Sequence, residues 1–73
     1  MANNTTKLSV IIGENVRYYR KKAGLTQLKF SVITHISKDY ISEIERGKTL
    51  PSLKRLEIIA NALSIEPYKL LKK

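Results

Sequence analysis

Lys38, Asp39, Ser42, Glu43 and Arg46 lie close together in a chain of 73 residues. At 100° per residue they fall on one arc of a helix. Each of the first four types has a hydrogen-bonding partner on a base edge of duplex DNA. Lysine suits guanine O6 and N7, aspartate or glutamate the cytosine amino group, and serine several bases. The same arc also reads as an ordinary solvated face, which most amphipathic helices possess. Ile41 and Ile44 point the other way, into a core that Ile36 closes. Catalysis is poorly supplied. There is no cysteine nucleophile, the single His35 has no acidic neighbour to orient it, and no glycine loop could cradle a phosphate. Asp39 and Glu43, the best acid–base pair, belong to a helix face and not to a recognisable pocket. One histidine without cysteine makes no structural zinc site, so neither a metal nor a cofactor is expected.

The elements that must hold this arc are legible around it. Thr26 and Ser37 each stand before a run with apolar residues at helical spacing, and each hydroxyl can cap the first turn. Neither has Glu or Gln three residues on, so these are single caps and not capping boxes. Gly47 stands where a left-handed residue ends the second of these helices. Thr34 to Ile36 is left to turn the chain, and the whole of Thr26–Gly47 fits a helix-turn-helix. Upstream, Leu8, Ile12, Val16 and Tyr19 recur at helical spacing over Leu8–Ala23, which ends in a basic turn before Gly24. Gly13 lowers that helix's propensity by about 1 kcal/mol relative to alanine, which a close helix contact would explain. Downstream, Pro51 and Ser52 open a helix from Leu53 to Leu63, with Leu53, Leu56, Ile59, Ala60 and Leu63 facing inward. Pro67 opens a last short helix, Tyr68 to Leu71. Residues 1–7 read as a flexible tail and 8–73 as one domain. The Met1–Thr6 stretch could alternatively be an arm that enters a minor groove, although its first basic neighbour is Lys7.

Fourteen basic against six acidic residues give a net charge of +8 and a pI near 10.0. That balance suits a polyanion. A membrane-surface protein would concentrate its charge on one amphipathic segment. Here it is dispersed over short groups such as Arg20-Lys21-Lys22 and Lys54-Arg55, which favours nucleic acid. No apolar run approaches the length of a membrane span and no secretory leader is evident, so a cytoplasmic protein is expected. A chain this short buries only a modest core. With no disulfide or zinc to staple it, its stability must come from helix packing, alone or together with a partner subunit.

Thr26-Gln27, the run Tyr40-Ile41-Ser42-Glu43-Ile44-Glu45-Arg46-Gly47, and Pro51-Ser52-Leu53 together resemble the phage repressor/Cro (Xre-type) family of helix-turn-helix transcriptional regulators. The resemblance runs from about Ile12 to Leu71. It implies an all-α, five-helix, lambda-repressor-like domain that binds double-stranded DNA sequence-specifically, as a homodimer on a near-palindromic site. Lys38, Asp39, Ser42 and Glu43 would read bases, with Arg46 at the groove margin. Thr26, Gln27, Ser37, Tyr40 and Lys48 would hold phosphates. The resemblance also implies an ion pair between Arg20 and Glu45, and a dimer contact drawn from Ile65, Tyr68 and Leu71, which otherwise simply close the core. Phe30, Ser31 and His35 depart from the family pattern, the last at a turn position that usually holds glycine. Leu28 and Val32 stand on the outer face of the first helix of the motif, where the family usually carries charge. They support an alternative, a protein-interaction module such as an antitoxin or anti-repressor of the same fold. RNA binding is less favoured, because stacking platforms are missing. No small-molecule sensing segment is evident.

Overall fold

The computed structural model describes residues 6–73, and the proposed N-terminal arm lies largely outside them. Four α-helices follow in order: α1 (Lys7–Lys22), α2 (Gln27–Thr34), α3 (Lys38–Glu45) and α4 (Leu53–Leu63). A single 3₁₀ turn, Pro67–Leu70, takes the place of the expected fifth helix. No strand occurs among the described residues.

The helix starts follow from their caps. Thr26 Oγ1 accepts from the Lys29 N–H at 3.0 Å, and Ser37 Oγ accepts from the Tyr40 N–H at 3.1 Å. Ser52 does the same for α4, at 3.2 Å from the Arg55 N–H. Each satisfies one of the N–H groups that a first turn leaves without a helical partner. α1 begins at Lys7, inside the expected tail. Thr6 accepts from the Ser9 N–H at 3.0 Å while Ser9 Oγ accepts from the Thr6 N–H at 2.7 Å. This is a reciprocal box with serine in place of the usual glutamate.

The stops are left-handed residues. Gly24 and Gly47 have φ of 76° and 73°, and His35 and Ser64 take φ of 60° and 57° without the freedom of glycine. At the α2–α3 turn, Thr34 stabilises this geometry. Its hydroxyl donates to the Phe30 carbonyl at 2.7 Å and accepts from the Ile36 N–H at 3.2 Å.

Ile12, Val16, Phe30, Ile41, Ile44, Ile59 and Leu70 are buried to 1% exposure or less and form the centre of one core, to which every helix contributes. Burying a side chain of this kind contributes about 1.5–3 kcal/mol. Two expected core positions differ. Leu8 is 41% exposed, and Ser9 lies inside instead. Leu53 is 81% exposed. It is the first residue of α4, and helical side chains lean toward the N-terminus, so Leu53 projects past the edge of the core rather than into it.

Candidate nucleic-acid interface

α3 divides cleanly. Ile41 and Ile44 are fully buried, whereas Lys38, Asp39, Glu43 and Arg46 are exposed and Ser42 is half-buried. The five side chains singled out in the sequence are thus brought onto one accessible face. Arg46, just past the end of the helix, donates from Nε to the Ser42 carbonyl at 3.3 Å, which directs the guanidinium along that face. Lys48 follows on the exposed loop, its N–H anchored to the Glu43 carbonyl at 3.0 Å.

Three contacts fix α3 relative to α1. The first is an absence of side chain. A Cβ built on Gly13 would collide with the Ile44 carbonyl oxygen and come within 3.0 Å of the Glu45 carbonyl oxygen. Only glycine lets the two helices approach this closely. The second is Ser9 Oγ, which donates to the Gly47 carbonyl at 3.1 Å across the interface. The third is ionic. Arg20 Nε donates to Glu45 Oε2 at 2.6 Å and its Nη2 donates to Oε1 at 2.9 Å. This two-pronged geometry matches the planar guanidinium to the carboxylate. Arg20 also donates from Nη1 to the Leu25 carbonyl at 2.6 Å, so one side chain ties α1, the α1–α2 loop and α3 together. Hydrogen bonding to Glu45 raises the Arg20 pKa above its ordinary value; burial opposes this and the carboxylate's charge supports it.

α2 joins the same group. Gln27 donates from Nε2 to Glu45 Oε1 at 3.0 Å. Gln27, expected from the sequence only as a phosphate contact, is therefore held from within. Thr26 is exposed beside it. Ser37 and Tyr40 stand at the opposite, N-terminal end of α3, Ser37 exposed and Tyr40 half-buried against the core.

Sequence spacing did not reveal two further features. The Arg55 guanidinium of α4 lies over the Tyr40 ring, 4.9 Å from its centroid. Asn15 of α1 donates to the carbonyls of Leu70 and Lys72 at 2.9 and 2.7 Å, pinning the C-terminal turn to α1. Both depend on how helices cross, which no local pattern encodes. Of the proposed dimer residues, Tyr68 and Leu71 are exposed at 57% and 42%, and Ile65 is half-buried. Leu53, Leu56, Pro67 and Leu71 line a shallow apolar groove next to them.

The helix-turn-helix family model HTH_3 matches residues 16–70. The chain belongs to this family. It is 36% identical over 55 residues to the immunity repressor protein of Bacillus phage phi105, a match covering 75% of this chain and 38% of the repressor. The chain thus spans well under half the length of that relative. Against the control protein C.BamHI of Bacillus amyloliquefaciens it is 35% identical over 68 residues, covering 92% of this chain and 84% of that protein. Its fold also matches the structure of SinR, a master regulator for biofilm formation, in complex with DNA. The TM-score is 0.80 at 32% identity, over 84% of this chain and 98% of that one.

Proposed function

We propose that the protein is a transcriptional regulator that binds double-stranded DNA sequence-specifically, with α3 in the major groove. The observation that carries this reading is the exposed polar arc of α3, fixed to α1 and α2 through the Arg20–Glu45–Gln27 group. The fold's likeness to a DNA-bound regulator supports it. Lys38, Asp39, Ser42 and Glu43 read base edges, with Arg46 at the margin. Thr26, Gln27, Ser37, Tyr40 and Lys48 hold phosphates, aided by the positive N-terminal end of α2. The net charge of +8 supplies the salt-dependent, sequence-independent part of the affinity. Asp39 and Glu43 oppose that general attraction, which fits a role in choosing sequence.

Two copies pair through Tyr68, Leu71 and Ile65, extended by the exposed Leu53, to present two α3 helices to successive major grooves. Such a spacing of about 34 Å matches one DNA turn. The reading requires no small-molecule effector, and such a regulator works in the cytoplasm.

Exposure of Leu28, Val32 and Ile33 at 60%, 68% and 50% favours one second reading, a protein-interaction module of the same fold. Titrating the protein into labelled random and selected duplexes while raising salt separates the two. A preference for particular sequences that survives near-physiological salt supports the DNA reading. Salt-insensitive absence of binding, with a stoichiometric protein partner, supports the other.

A further inference from the structure

Tyr40 and Glu45 are five positions apart on α3, so at about 100° per residue they border the exposed arc on opposite edges. The Glu45 edge is met by Gln27 at the start of α2, at 3.0 Å. The Tyr40 edge is met by Arg55 in the first turn of α4, whose guanidinium lies 4.9 Å from the ring centroid. Among the described residues that guanidinium donates no hydrogen bond and pairs with no carboxylate. A groove of about 330 Å³ opens beside it, lined by His35, Ser52, Lys54 and Arg55 with Thr34, Ile36 and Ile58, and no acidic residue contributes to the lining. The major groove is bounded by a phosphate backbone on each side, about 12 Å apart. A helix seated in it therefore needs a cationic or N–H-rich group at both of its edges.

We propose that Arg55, stacked on Tyr40, is the phosphate clamp for the second strand, the counterpart of the α2 N-terminus on the first. This rests on the DNA-binding reading above and adds a contact from α4, outside the helix-turn-helix. Stacking on a half-buried ring limits the rotamers of Arg55 before DNA arrives, so less freedom is lost on contact. The Arg55 donors that do not face the ring remain available to phosphate oxygens, and Lys54 adds charge to the same groove.

The test compares the full chain with Arg55→Gln, which keeps a planar group over Tyr40 but no charge, and with Arg55→Lys, which keeps the charge. Affinities for a selected duplex and for a scrambled one are followed across a salt series, with thermal unfolding alongside. Arg55→Gln should weaken both duplexes by the same factor and flatten the salt slope by about one, with the melting temperature held. Arg55→Lys should restore most of the slope. If Arg55→Gln keeps the wild-type slope and affinity while the wild type still discriminates its site, the clamp is wrong and the DNA reading stands. If Arg55→Gln changes the preferred sequence instead, Arg55 reads a base and the clamp is again wrong. If the wild type itself shows no salt-dependent duplex binding, the DNA reading falls and the clamp with it.

Discussion

Arg20 and Glu45, twenty-five positions apart, are joined by two parallel hydrogen bonds of 2.6 and 2.9 Å with side chains only 8% and 3% exposed. Removing one member leaves the other's charge buried without its partner, which typically costs 3–5 kcal/mol. A domain of this size has a total stability on the order of 4–11 kcal/mol, so the loss is a large share of the whole. Arg20→Ala or Glu45→Ala should therefore lower the urea midpoint severely. The double variant Arg20→Met/Glu45→Leu should recover much of the loss. A single-variant cost below about 1 kcal/mol would show that the pair is screened as a surface pair is.

Gly13→Ala should destabilise the protein even though alanine favours helix by about 1 kcal/mol. The new methyl meets the backbone carbonyls of Ile44 and Glu45, neither of which can rotate aside, so α1 and α3 must separate. Overpacking of this kind costs typically 1–3 kcal/mol. Because α3 moves with the contact, DNA affinity should fall together with stability. Chemical denaturation and duplex titration on the same sample check both, and a neutral Gly13→Ala would contradict the tight crossing.

At the turn between α2 and α3, His35 has φ 60° and ψ 24°. His35→Gly relieves a left-handed penalty of about 1 kcal/mol but gives back part of it in chain entropy, so stability should rise slightly or hold. His35→Val, β-branched at the same φ, should lose more than about 1 kcal/mol. Thermal melts of the two variants should separate in that order.

Lys48→Ala should weaken binding about equally on all duplexes and flatten the salt dependence, as expected for a phosphate contact. Glu43→Ala should change preference at one or two base positions while nonspecific affinity rises. Parallel selections with the two variants read this directly. Unaltered preference and affinity in both would move the interface off this face.

Leu53→Glu and Leu71→Glu alter side chains that are 81% and 42% exposed, so fold stability should change little. If the groove beside them is the dimer surface, sedimentation should show the double variant as a monomer at concentrations where the wild type is paired. An unchanged mass would place the contact elsewhere.

The local grammar of this chain was readable in advance because it depends on neighbours in sequence. Thr26 and Ser37 cap by reaching three residues ahead, and Ile41 and Ile44 face inward by period alone. Leu53 is exposed although its spacing is that of a core residue. It continues the Leu56–Ala60–Leu63 spacing, yet as the first residue of α4 it projects past the edge of the core and stays 81% exposed. Thr6 was hidden because serine replaced the glutamate that marks a capping box. Gln27 on Glu45 and Arg55 on Tyr40 were beyond sequence reasoning, since each depends on the angle at which two helices cross.

Reading of DNA sequence by α3 in a paired protein can be tested in one experiment. That experiment is selection from a random duplex pool near physiological salt, with the recovered complexes sized by sedimentation. The expected result is an enriched near-palindrome whose half-sites lie about ten base pairs apart, carrying two chains per duplex. Binding that enriches no sequence and disappears as salt rises would contradict it, leaving the positive charge alone responsible.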